Sequence, residues 1–184
     1  MAALERDTAA DSSLGIATSG ISQGGFVALV AGDYNPEVRA ANPISIGTHC
    51  GGEFDLTSCA LPGAYDLDVA QVRIANGESD ATFGGLSGPL CDGMQTIQPV
   101  WYREQLNLMA GASCDTAATT YECLRPDGSG WVLARDDQVT GGLAHHAFPY
   151  ADYPTTPDPS WASTLEPWGR EANQAWLAER VGFP

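Results

Sequence analysis

Residues 14–31 read LGIATSGISQGGFVALVA. Leu14 to Ser19 is a short apolar run that ends at Gly20, the pattern of a buried strand. Gln23 to Ala31 follows at once, with Phe26, Val27 and Val30 at helical spacing. Between them stands Gly20-Ile21-Ser22-Gln23-Gly24, a G-x-S-x-G pattern on a strand-to-helix turn. A serine there sits on a sharp, strained turn that lifts its hydroxyl above the sheet. Side chains at Gly20 and Gly24 are expected to crowd such a turn. The free amide groups at the start of the helix, Gln23 first, face the place where negative charge would develop on an oxygen. Ser22 is therefore the candidate nucleophile and the Gln23 amide the candidate oxyanion donor.

Outward from this stretch the elements alternate. Val38 to Ile46, Val69 to Ala75 and the weaker Trp131 to Ala134 read as further strands. Thr96 to Met109 and Leu165 to Val181 read as helices, the second with Trp168, Ala172, Ala175, Trp176 and Leu177 toward the core. Residues 47–68 and 76–93 are Gly-rich, polar loops. Strands alternating with helices predict an α/β fold, a parallel sheet with crossover helices formed by residues 1–184 as one domain. In such a sheet the site lies at the carboxyl ends of the strands.

A serine nucleophile needs a base and an acid that orients it. On this kind of turn they follow in the chain order serine, acid, histidine. The third strand runs into Asn76-Gly77-Glu78-Ser79-Asp80, which makes Asp80 the candidate acid and Glu78 its rival. Of the three histidines, His49 precedes the acid and fails the order. His145 and His146 lie between the last strand and the last helix, where the base belongs, and only one of two adjacent histidines can face Ser22.

Composition bounds the alternatives. With 184 residues and 43% hydrophobic content the chain can form a packed domain. No run approaches the roughly 20 apolar residues of a membrane span. All 8 basic residues are arginine, against 23 acidic ones, and the formal net charge is -15. Such a surface repels phosphate backbones, which excludes nucleic acid as an expected partner. The start, MAALERD, has neither a basic nor an apolar signal region, so an export signal is expected outside these residues. The five cysteines, at 50, 59, 91, 114 and 123, show no CxxC spacing, and the histidines are not spaced with them as zinc ligands. Cys50 with Cys59 and Cys114 with Cys123 are candidate short-loop disulfides of an exported protein, with Cys91 left over. No metal and no organic cofactor is expected.

The arrangement resembles the α/β-hydrolase superfamily, and within it the polyhydroxybutyrate depolymerase and feruloyl esterase group. That group places an Asp-x-x-Arg-hydrophobic lead before a GxSxGG turn; Asp11-Ser12-Ser13-Leu14-Gly15-Ile16 is similar, with Leu14 in place of the Arg. Its APxSG-like strand is similar to Ala41-Asn42-Pro43-Ile44-Ser45, and its HGxxD acid motif to Asn76-Gly77-Glu78-Ser79-Asp80. Its GMGHAWP motif, laid on Gly142 to Pro149, falls with its histidine on His146 and leaves His145 as the alternative base. The resemblance implies a carboxylic ester hydrolase acting through Ser22, His146 and Asp80 on a small-molecule or polymeric ester. A serine peptidase with the same triad, and a non-catalytic fragment serving as an interaction module, are the rival readings. In the superfamily the nucleophile strand stands mid-sheet; here it comes first, as in the C-terminal half of the fold. The early strands and the loop giving a second oxyanion amide have no counterpart. The free edge of the first strand is accordingly expected to support self-association or to await a missing N-terminal segment. Trp131, Trp161 and Tyr150 are candidates for lining a cleft for an aromatic acid, or for core and rim positions.

Overall fold

A computed structural model describes residues 13–46, 49–50, 54–55, 67–82, 113–115 and 122–182. In chain order they form β1 (Ile16–Ile21), α1 (Gln23–Tyr34), β2 (Val38–Ile44), β3 (His49–Cys50), β4 (Phe54–Asp55), β5 (Arg73–Gly77), β6 (Ser113–Asp115), β7 (Glu122–Leu124), β8 (Gly130–Ala134), β9 (Tyr150–Asp152), β10 (Thr156–Pro157), α2 (Pro159–Ser163) and α3 (Arg170–Val181). The helix expected over 96–109, the side chains of His49 and Cys50, and Cys59 and Cys91 lie outside the described residues.

Six strands make one sheet in the order β1-β2-β5-β8-β7-β6. β1, β2, β5 and β8 run parallel. β7 and β6 then pair antiparallel. The class is α/β, as expected, but the sheet is mixed rather than wholly parallel. The difference comes from β6 and β7, which lie at the two ends of the Cys114 to Cys123 stretch, expected to be a loop. The Arg125 and Gly128 amides close a turn onto Ser129 and Arg125 oxygens, at 2.9 and 2.8 Å. A connection that short cannot cross over to a parallel neighbour, so β7 must pair antiparallel with β8.

Other boundaries shift for local reasons. β1 runs on to Ile21, the residue before Ser22. The strand expected from Val69 starts only at Arg73, because Asp68 caps a 3-10 turn over Val69–Gln71 and the Gln71 side chain closes it from the other side. α3 starts at Arg170, after the separate short helix α2.

α1 and α3 cover opposite faces of the sheet. Thr18 donates from Oγ1 to the Ala28 carbonyl of α1 at 2.6 Å, whereas its neighbour Ala17 packs with Trp176 and Leu177 of α3. Successive strand residues point to opposite faces. The α1 face carries Phe26, Leu29, Val72, Ile74, Trp131 and Leu133. The α3 face carries Ile44, Ala75, Val132, Phe148 and Trp168. Val27, expected on the inner stripe of α1, is 66% exposed; Gly25, Ala28 and Leu29 are the buried positions instead. Ala175 likewise points outward, and Asn173 takes the buried place beside Trp176 and Leu177.

The anchor of α3 lies at the amino end of β5. Arg73 stacks on Trp176, with Cζ 4.7 Å from the ring centroid, and Arg180 lies over the same ring at 5.8 Å. The indole N–H of Trp176 donates to the Asp127 carbonyl at 3.0 Å. The carboxyl ends of the parallel strands, on the opposite side, are thereby left to the loops that carry Ser22, Asp80 and His146. Among the described residues β1 pairs with β2 alone and forms the sheet edge. No helix among the described residues is long and apolar enough to cross a membrane.

Candidate active site

Ser22 occupies the joint between β1 and α1 with φ 54° and ψ -124°. A residue with a Cβ held in that region costs about 1–3 kcal/mol, which the surroundings must impose. They do so by tying both sides of its backbone. Its N–H donates to the Ile44 carbonyl of β2 at 2.9 Å, and its carbonyl accepts from Phe26 N–H at 3.1 Å. A Cβ on Gly20 would press into the Gly24 carbonyl, and one on Gly25 would stand 2.7 Å from Ile46 Cγ2. Gly24, expected to be under the same pressure, has open space around it; the crowded pair is Gly20 and Gly25. The Ser22 side chain does not cap α1. Its hydroxyl is therefore not spent on the helix, as that of an ordinary N-cap serine would be. Gln23 is the first residue of α1, where backbone amides have no acceptor within the helix.

Asp80 and His146 meet. His146 Nδ1 lies 3.0 Å from Asp80 Oδ2 and 3.2 Å from Oδ1. An ionised carboxylate only accepts, so Nδ1 is the donor in this contact. Asp80 is 1% exposed and also accepts from Thr82 N–H at 2.8 Å. The meeting depends on Gly77, the last residue of β5, because the loop bearing His146 crosses directly over it. A Cβ there would run into the Ala144 carbonyl. Ser79 N–H donates to that same carbonyl at 3.0 Å.

The rivals are occupied elsewhere. Glu78 pairs with Arg135 Nε at 3.1 Å and accepts from Asp136 N–H at 3.0 Å. His145 is exposed, and its Nδ1 accepts from Ala147 N–H at 3.0 Å. Ser22, Asp80 and His146 follow the carboxyl ends of β1, β5 and β8, all on one side of the sheet. β1 and β5 are two positions apart, about 10 Å across the ladder. No hydrogen bond joins Ser22 to His146 among the described residues. Such contacts are commonly loose without substrate and tighten when it binds.

A cavity of about 310 Å³ opens beside the strand that leads to Ser22. Ile21, Ile44, Tyr150, Tyr153 and Trp161 wall it. Tyr150 and Tyr153 meet edge to face with centroids 5.4 Å apart. Asp158 holds Trp161 in place, accepting from the Ser160 and Trp161 amides at the start of α2. Burial pushes the Asp158 carboxyl up, but the Ser160 hydroxyl, the Trp161 and Ser160 amides and Thr140 outweigh it and hold the group below its ordinary range. Trp131, by contrast, is a core residue, 1% exposed. Among the described residues no three His, Cys, Asp or Glu side chains gather closely enough to hold a metal ion.

No family model, no curated protein and no solved structure matches this chain. The site therefore stands on its own geometry. Sequence reasoning missed Arg135 and Asp136, which brace the loops around Asp80 and His146. Their signal was a charged cluster directly after the last parallel strand, at the same sheet end as Ser22.

Proposed function

We propose that this protein is a serine hydrolase of carboxylic esters, built on an α/β-hydrolase type of sheet. The observation that carries the reading is the contact between buried Asp80 and His146, on the same sheet end as a serine held at a positive φ. Ser22 Oγ attacks the acyl carbon, and His146 Nε2 takes its proton. Asp80 orients the imidazole and balances the charge that forms on it. The Gln23 amide stabilises the oxyanion. His146 then returns the proton to the departing alcohol, and water, activated in turn by His146, releases the acid from Ser22. The scheme needs neither metal nor organic cofactor. The aromatic and aliphatic cavity beside β1 suits an uncharged acyl or alcohol group, from a small ester or from one unit of a polyester. The cysteine content suits an exported protein.

The test is hydrolysis of a short p-nitrophenyl ester by the parent and by Ser22→Ala. Loss of a triad nucleophile costs on the order of 10⁶ in turnover. A variant that kept more than about a tenth of the parent rate would remove Ser22 from the mechanism.

A further inference from the structure

We propose that Asp136 is a positioning residue that locks the loop of the base, His146, onto the loop of the acid, Asp80; the inference rests on the triad reading above. Asp136 follows β8, and its carboxylate spans the two loops. Oδ2 accepts from the Ser79 hydroxyl at 2.7 Å, and Ser79 is the residue before Asp80. Oδ1 accepts from Ala144 N–H at 2.8 Å, two residues before His146. One rigid group thus fixes the separation of two segments that are far apart in the chain.

The link is reciprocal. Ser79 N–H donates to the Ala144 carbonyl at 3.0 Å, so the two loops also hold each other directly. Asp136 N–H donates to Glu78 Oε2 at 3.0 Å, and Glu78 is anchored by Arg135 at 3.1 Å. The Asp136 carboxylate is not needed for its own turn. That turn, Asp136–Gln138, is closed by the Gln138 side chain, which accepts from Arg135 N–H at 2.9 Å. The approach to His146 passes through Gly141 and Gly142, the latter at φ 68°. Without Asp136, the Ala144 amide and the Ser79 hydroxyl each lose a partner, and the seat of His146 against Asp80 is held by fewer bonds.

The test compares Asp136→Ala with Asp136→Asn. Asparagine keeps an oxygen for the Ala144 amide, and its NH2 can donate to Ser79, whose hydroxyl then turns to accept. Asp136→Ala should lower kcat about 10- to 100-fold with KM close to the parent, while Asp136→Asn stays within about threefold. A second readout needs no substrate: the low-field proton resonance of His146 Nδ1–H against Asp80, assigned by its loss in His146→Ala. It should broaden or vanish in Asp136→Ala and persist in Asp136→Asn. Should Asp136→Ala fail to fold, Ser79→Ala, which removes only one of the two bonds, should move kcat and the resonance the same way by less. An unchanged resonance in Asp136→Ala, or in Ser79→Ala where that variant stands in, overturns the proposal. So does an Asn variant as impaired as the Ala variant. If the parent shows no esterase activity, the triad reading fails, and the resonance still decides the role of Asp136.

Discussion

The Asp80 carboxylate is sealed from solvent, while the His146 imidazole 3.0 Å away keeps 27% of its side-chain surface exposed. A buried acceptor behind an accessible ring is what orients a base toward a reactant. The carboxylate fixes the orientation of the ring, and part of the imidazole stays open to solvent.

Asp80→Asn should therefore keep the fold and lose on the order of 10⁴ in kcat, because the amide favours the wrong tautomer. His146→Ala should be at least as damaging, whereas His145→Ala should stay within a few fold. Steady-state kinetics on one ester compares the three. Equal losses for the two histidine variants would contradict the assignment.

Gly77→Ala should reduce activity without touching any reacting group. The added methyl would meet the Ala144 carbonyl and push the His146 loop off the end of β5. A misplacement of about 1 Å at a catalytic group costs about 100-fold. Kinetics together with a melting curve checks this: the loss should fall on kcat, and an unaffected kcat would mean that the loop is not seated there.

The turn at Ser22 was legible because three signals agreed: an apolar strand, an apolar helix, and glycines between them. Chain order pointed to Asp80 and to the pair His145 and His146; the choice of His146 came from the resemblance of Gly142 to Pro149 to the family's base motif. The short β6 and β7 were not legible. Three residues such as Glu122, Cys123 and Leu124 carry no alternation, and their strand character comes from pairing with β8. Val69 to Gln71 looked like a strand on apolar content, but the Asp68 cap decided for a turn. Asp136 was invisible because its partners, Ser79 and Ala144, come from separate loops.

β6 and β7 set Cys114 directly opposite Cys123 in antiparallel register, and Cys123 is fully buried. Protein made under oxidising conditions should give a peptide linking the two when digested without reduction. The bond closes a short loop and should contribute about 2–3 kcal/mol. Two free thiols at these positions would contradict both the link and the exported reading.

Asp127 makes stability acid-sensitive. Burial pushes its carboxyl up, but hydrogen bonds from the Ser129 hydroxyl and amide, with Arg180 and Arg125 nearby, outweigh that and hold it below its ordinary range. A carboxylate depressed in the folded state stabilises above its unfolded pKa of about 3.9 and loses that contribution as pH falls below it. Denaturant midpoints measured from pH 6 down to pH 2.5 should fall below about pH 4, and by less in Asp127→Asn. Parallel curves for the two proteins would remove Asp127 from the acid response.

The most direct test of the central claim is labelling of the folded protein with a fluorophosphonate, read by peptide mass spectrometry. The reagent reacts with a serine that a base has activated, whatever the natural ester is. One adduct is predicted, on the peptide containing Ser22, absent in Ser22→Ala and far slower in His146→Ala. A folded parent that takes no label, or that takes it on another serine, would contradict the account.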